Sequence, residues 1–296
     1  MVKKIVYSGL ILIIIGLIGS IATFAVKNPF QTIHLHENKT ISISDVNKIE
    51  VKSSSTDVMV IPSKQKDITV KLSGKLSKNL KDHFELNVDK KDGTVEIAIK
   101  RKNYFNISLM AISQTKLIIG LPENMYQSIS VKTSSGDILT RGLHAEHLGV
   151  KSSSGDIRIE KGTVDNKMTI ETSSGDINTN MQDSKLASFS SSSGDIMLES
   201  IAGIVDVNSS SGDIEIHPND KIKKISVETS SGDVQVQTPQ KELPFNINFK
   251  GNSGSGTVQL KDVRYSVKSE NVIVGKISTG TIKLKVRTSS GDFKMK

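Results

Sequence analysis

The sequence predicts an all-β fold, a β-solenoid of stacked strand–corner–strand repeats of about 19–20 residues, preceded by one amino-terminal transmembrane helix. Three observations carry this expectation. A Ser/Thr-Ser-Ser-Gly-Asp-Ile corner recurs along the second half of the chain. Aliphatic residues stand in fixed columns on both sides of each corner. The first 26 residues hold one long apolar run bounded by lysines.

That run extends from Ile5 to Val26, preceded by Lys3 and Lys4, closed by Lys27, and interrupted only by Tyr7, Ser8, Ser20 and Thr23 among polar residues. At about 1.5 Å per residue it reaches about 33 Å as a helix, enough to cross a bilayer core. A cleaved signal peptide is the rival reading, with Thr23-Phe24-Ala25 as a poor cleavage site. Its apolar core should be only about 7–15 residues long. The expectation is therefore an uncleaved single-pass anchor. Residues 1–4 form a cytoplasmic tail, residues 5–26 the transmembrane helix and residues 27–40 a linker. The positive-inside tendency puts everything after Lys27 outside the cell membrane.

Residues 41–124 read as a divergent β region. Ile49, Val51, Ser53, Val58 and Val60 fit the columns of the later repeats around Thr56-Asp57. Thr56 takes the glycine place, so this corner is expected to turn differently. Further strand-like stretches lie at Ile68–Leu72, Glu85–Val88, Val95–Ile99 and Lys116–Leu121, and Asp92-Gly93 reads as a hairpin turn. The apolar stretch Tyr104–Ile112 reads equally as a strand or as a plug over the open end of the stack.

Residues 125–296 form the repeat solenoid. Its corners centre on Gly136, Gly155, Gly175, Gly194, Gly212 and Gly232, spaced 18 to 20 residues apart, with a further copy at Gly291. Five residues before these glycines stand Val131, Val150, Ile170, Phe189, Val207, Val227 and Val286. Two residues after them stand Ile138, Ile157, Ile177, Ile196, Ile214, Val234 and Phe293. Mostly polar residues separate the columns, the period-two pattern of a strand with one buried face. The glycine is expected to supply positive φ or a sharp turn. The following Asp is expected to fold onto nearby backbone amides, and the Ser or Thr three residues earlier to sit inside the bend. Parallel stacking at about 4.8 Å per rung gives about eight rungs after residue 125. After Pro244 the spacing changes. Gly256-Thr257-Val258 and Gly280-Thr281-Ile282 read as altered corners, with Gly251 and Gly275 at aliphatic places. The last copy reads as an edge with Phe293 and Met295 inward and Lys294 and Lys296 outward. Such an edge is either blunted against further pairing or a dock for a partner strand.

Composition narrows the function. There is no Cys, which excludes disulfides and Cys-ligated metals. The net charge of +8 comes from scattered basic residues, with small clusters at Lys64-Gln65-Lys66, Lys90-Lys91 and Lys100-Arg101-Lys102. Trp is absent and aromatics make up 4%, so the basic stripe with stacking aromatics that a nucleic-acid binder uses is missing. Sugar platforms are equally poor, with only Tyr104, Tyr126 and Tyr265 beyond the apolar run.

The Asp column (Asp137, Asp156, Asp176, Asp195, Asp213, Asp233) reads as turn chemistry, with calcium as the alternative; one Asp per rung is few for an ion that takes six to eight oxygens. His144-Ala145-Glu146-His147 is placed in a return loop without a third metal ligand. No Gly-x-Ser-x-Gly elbow is present. No catalytic, cofactor-binding or metal residue is assigned, and the chain is read as not an enzyme.

The stretch Leu117-Ile118-Ile119-Gly120-Leu121-Pro122, followed by Ile129-Ser130-Val131-Lys132-Thr133-Ser134-Ser135-Gly136-Asp137-Ile138, resembles the bacterial putative-adhesin family, a domain of unknown function with β-strand repeats. The anchor-plus-repeat layout is similar to its LiaG-like membrane-anchored members. The resemblance runs from about residue 40 to the end of the chain. It implies an envelope location and a link to envelope stress, and carries over no site residue. The expected function is a non-catalytic envelope adhesion or scaffold module whose partners are the membrane and an anionic cell-wall polymer or an envelope protein. The alternative is a regulatory or sensory accessory in the envelope stress response, acting through a protein partner.

Overall fold

The computed structural model describes residues 7, 9, 12–19, 31–78, 84–101, 113–180, 183–239 and 243–296. Twenty-three strands form along them. The first seven are β1 (Thr32–Ile41), β2 (Lys48–Lys52), β3 (Asp57–Ser63), β4 (Ile68–Ser77), β5 (Phe84–Lys91), β6 (Thr94–Arg101) and β7 (Ser113–Pro122). The regular repeats follow as β8 (Met125–Lys132), β9 (Ile138–Arg141), β10 (His144–Lys151), β11 (Ile157–Glu160), β12 (Thr163–Glu171), β13 (Ile177–Asn180) and β14 (Asp183–Ser191). Then come β15 (Ile196–Ser209), β16 (Ile214–Thr229), β17 (Val234–Val236), β18 (Phe245–Gly251) and β19 (Gly256–Val258). The chain ends with β20 (Arg264–Lys268), β21 (Val272–Lys276), β22 (Ile282–Thr288) and β23 (Phe293–Met295).

Each corner folds one strand of a rung onto the next, and rungs stack in parallel and in register. On one face the order is β6, β2, β8, β10, β12, β14, β15, β16, β22, β18, all parallel. On the other it is β7, β3, β9, β11, β13, β15, β16, β17, β23, β19, also parallel. The long strands β15 and β16 lend one half to each face. Among the described residues nine rungs are complete, eight of them built after residue 125 and one from β2 and β3.

Antiparallel strands close both ends. At one end β5 pairs with β6, β4 with β7 and β1 with β4; at the other β21 pairs with β18 and β20 with β21. The Asp92-Gly93 hairpin forms as expected, with φ of 50° and 74°.

The aliphatic columns become one continuous core. Val51, Val131, Val150, Ile170, Phe189, Val207, Val227, Val286 and Phe249 lie in register across nine strands, each at most 1% exposed. Phe249 stacks on Phe293 at 5.1 Å. The return segments add a side column that the sequence pattern hid. Tyr126, Ala145, Val164 and Ser184 stand in register and are buried. A second bend, with Gly142, Lys161 and Ser200 at positive φ, follows the post-corner strand.

Several expectations are corrected. Residues 27–40 are not all linker, because Thr32–Ile41 is β1, bonded along its length to β4. No spatial boundary falls at residue 125, since β2 pairs directly with β8. Thr56 turns as the glycine corners do. Gly280 (φ 65°) lies in the turn between β21 and β22 and is not a rung corner. The terminal copy is not an edge: β23 lies between β17 and β19, and β22 between β16 and β18. Phe293 and Met295 do point inward. Residues 12–19 are helical with exposed apolar side chains such as Leu12 and Ile18. No helix among the described residues is long and apolar enough to cross a membrane. The rest of the 5–26 run, and Tyr104–Ile112 apart from the strand that begins at Ser113, lie outside the described residues.

Candidate interaction surface

The corners generate a ridge along the stack, and its chemistry runs between rungs. Of the two roles expected for the corner glycines, the sharp turn holds and positive φ does not, since none of them lies at positive φ. A Cβ at Gly155 would collide with the Gly136 carbonyl oxygen, one at Gly175 with that of Gly155, and so on through Gly194, Gly212, Gly232 and Gly291 to Gly254. Glycine is needed because the next backbone passes over it. Gly254, not Gly256, therefore occupies the corner of the β18–β19 rung. Thr56 takes the glycine place at the head of the column among the described residues. Its Oγ1 lies 2.7 Å from that of Thr115.

The small residue three places earlier does more than fit the bend. Its hydroxyl accepts the corner N–H, from Gly136 to Thr133 (3.1 Å), Gly155 to Ser152 (2.9 Å), Gly175 to Thr172 (3.1 Å) and onward to Gly291 and Thr288 (2.8 Å).

The Asp column also reaches across rungs. The N–H of Asp137 donates to Oδ1 of Asp57, that of Asp156 to Asp137, Asp176 to Asp156, Asp195 to Asp176, Asp213 to Asp195, Asp233 to Asp213 and Asp292 to Asp233, at 2.8–3.1 Å. Ser255 ends the ladder, giving its N–H (2.7 Å) and hydroxyl (3.0 Å) to Asp292. These bonds, the backbone one first, hold the Asp292 carboxyl below the usual carboxylate range. One oxygen of each carboxylate is thus spent on the fold. Among the described residues no three His, Asp or Glu gather as a metal ligand set.

His144-Ala145-Glu146-His147 lies in β10, not in a return loop. His144 Nε2 sits 3.2 Å from Asp165. Tyr126 is buried, with its hydroxyl donating to the Pro122 carbonyl at 3.0 Å, and burial pushes its pKa up to about 12. Tyr265 is half-buried under Lys268, 4.6 Å from its ring centre. Neither offers an open sugar platform, and Tyr104 lies outside the described residues. Lys90, one of the clustered lysines, ties down the 42–44 turn through the Ser44 carbonyl.

On the outer faces several charges pair across rungs: Lys52 with Glu96 (2.8 Å), Lys151 with Glu171 (2.7 Å), Arg141 with Glu160 (2.7 Å) and Lys221 with Asp183 (2.8 Å). A shallow recess of about 410 Å³ lies on the β11–β13–β15 face, walled by Arg158, Glu160, Asn178, Met197 and Glu199. The exposed large apolar side chains of the repeats, Met125, Leu186, Met197 and Val267, stand on separate strands.

The family model described as Toastrack DUF4097 matches residues 46–296. No curated protein matches. Among solved structures, a putative adhesin from Bacteroides fragilis NCTC 9343 has a similar fold, at 16% identity over 88% of this chain and 97% of that chain, with a TM-score of 0.53. A putative adhesin from Parabacteroides distasonis ATCC 8503 (15% identity, 88% and 97% coverage, TM-score 0.47) also matches. So does a putative lipid binding protein from the same strain (16%, 88% and 97%, TM-score 0.43).

Proposed function

Because the chain belongs to the Toastrack DUF4097 family, we propose that it acts as a non-catalytic, membrane-anchored adhesion or scaffold module of the cell envelope. The apolar run at residues 5–26 anchors it with the amino end in the cytoplasm, and the repeats stand outside. One observation carries the reading: the aliphatic ranks point inward along the stack, leaving long polar outer faces with a net positive chain charge. A surface of this kind recruits partners by charge over a wide area and needs no converging side chains. The adhesin-named fold neighbour is consistent with it.

The regulatory alternative calls for a compact apolar hot spot. The scattered positions of Met125, Leu186, Met197 and Val267 do not supply one among the described residues, which favours the scaffold.

Pull-down of the full chain from intact envelopes tests this. Retention of anionic wall material at low salt and its release at high salt is expected. Salt-insensitive capture of one protein would replace the scaffold with the regulatory reading. Protease shaving of whole cells should digest the repeats, and protection of residues 28–296 would reverse the topology.

A further inference from the structure

The end of the stack furthest from β1 differs in charge from the rest. Strands β22, β18, β21 and β20 contain no Asp or Glu. Alternating with buried residues, they turn Lys283, Lys285, Arg287, Lys250, Lys276 and Arg264 outward on one face. Register aligns Lys224, Lys283, Asn246, Lys276 and Arg264 in a single row across β16, β22, β18, β21 and β20. At about 4.8 Å per strand the row spans about 19 Å along the stack axis.

Three cation pairs stand directly opposite one another: Lys224 with Lys283, Lys276 with Arg264, and Lys250 with Arg287. Directly opposed like charges destabilise a sheet. In the middle of this face Lys52, Lys132 and Lys151 also stand in one row, but carboxylates flank that row, with Lys52 paired to Glu96 and Lys151 to Glu171. At the end, Lys285 and Arg287 share the single Glu228 of β16, and Lys224 reaches Asp206 at 3.6 Å. Among the described residues Lys250, Lys276 and Lys283 make no ion pair. An anion that bridges the row relieves the repulsion.

We propose that this face binds a linear phosphodiester polymer laid along the row. The proposal deepens the scaffold reading and rests on it, naming the surface and the polymer class. Asn246 and Asn248 add amide donors between the cations, and Val272 and Val274 form a small apolar floor beside them for the carbon segments between phosphates. A bilayer is the lesser fit. β1, the first strand after the apolar run, lies at the opposite end, about 50 Å away across eleven strand spacings.

The test uses the full chain in nonionic detergent with synthetic poly(glycerol phosphate) as the probe, and phosphatidylglycerol vesicles as the competing surface. The variant Lys250→Gln/Lys276→Gln/Lys283→Gln removes three lysines that make no ion pair among the described residues. A control, Lys132→Gln/Lys151→Gln/Lys167→Gln, removes three from the middle of the same face. Circular dichroism melting checks that both remain folded. The first variant should bind polymer at least about tenfold more weakly, with a shallower salt dependence, and the control should match wild type. Equal losses in the two variants, or none in the first, overturn this surface while leaving a polymer-binding scaffold standing. A wild-type chain that binds vesicles but no polymer overturns the polymer assignment, and one that binds neither overturns the scaffold reading as well.

Discussion

Glycine at the corners is fixed by a neighbour and not by its own torsion angles. The Gly175→Ala variant has no backbone strain to absorb, but its methyl must displace the Gly155 carbonyl. The carbonyl sits in the bend between β10 and β11, both paired to the rungs on either side, so it yields only by parting the rungs. A loss of about 3 kcal/mol or more is expected in urea unfolding. Thr56→Gly, at the head of the column, removes only the contact with Thr115 and should cost less. Thr179 presents the reverse case. Its hydroxyl is buried without a hydrogen-bond partner, between Ile159 and Leu198 in the same column. Thr179→Val keeps the shape, removes the unsatisfied group and should stabilise by about 1 kcal/mol, read as a higher melting midpoint. The ladder's terminal carboxylate gives a pH dependence. Bonding to Ser255 lowers the folded pKa of Asp292 below its unfolded value, so the ionised form favours the fold. Its contribution is complete above the ordinary Asp pKa of about 4 and disappears as pH falls through the depressed folded value. Wild type and Asp292→Asn should therefore differ in thermal midpoint at pH 7 and converge in acid. A constant difference down to the lowest pH would contradict this.

At the level of elements, the terminal pair β22–β23 behaves as an interior rung. It fills the space between the β16–β17 rung and the β18–β19 rung, and Leu284, Val286, Phe293 and Met295 are buried by neighbours on both sides. Chain ends are ordinarily the first parts to fray. Here the amides of Leu284 and Val286 should exchange as slowly as those of Val207, and truncation after residue 281 should melt residues 243–280 along with the missing strands. Rapid exchange at Leu284 would show that the insertion is loose. This insertion was not legible in the sequence. The columns of β22 fit a corner rung equally well wherever it stacks, because pairing between rungs leaves no local mark in composition or spacing. What could be read was what repeats locally: the strand pattern, the inward ranks, the parallel stack and the bend hydroxyl. The strand β1 was missed because its burial alternates only partly, with exposed residues on its solvent side. The basic end face was missed because its row is assembled from five separate strands, through Lys224, Lys283, Asn246, Lys276 and Arg264. Each alone looks like an ordinary solvated strand.

For the whole molecule, chain order and spatial order agree in the middle and disagree at both ends, which bears on how the fold assembles. Central rungs join residues about 20 positions apart, whereas Ile49 meets Ile129 and Ile225 meets Leu284 across 80 and 59 positions. Closing a loop four times longer costs about 1.2 kcal/mol more in chain entropy, since each doubling adds about 0.6 kcal/mol. A stack that grows by nearest neighbours can start at any rung whose partners are close in sequence. The rungs from β8 to β17 meet that condition, and the β2–β3 and β18–β19 rungs do not. Pulsed hydrogen-exchange labelling during refolding should protect Val150, Ile170 and Val207 before Val51 and Phe249. Early protection of Val51 would mean that the amino-terminal rung nucleates the stack in spite of its long loop. Once docked, the ends change the energetics. A remote segment clamped onto the first and last regular rungs cannot leave one repeat at a time, because releasing it opens a long loop and exposes a buried rank together. Unfolding of the stack should therefore be more cooperative than its period alone implies.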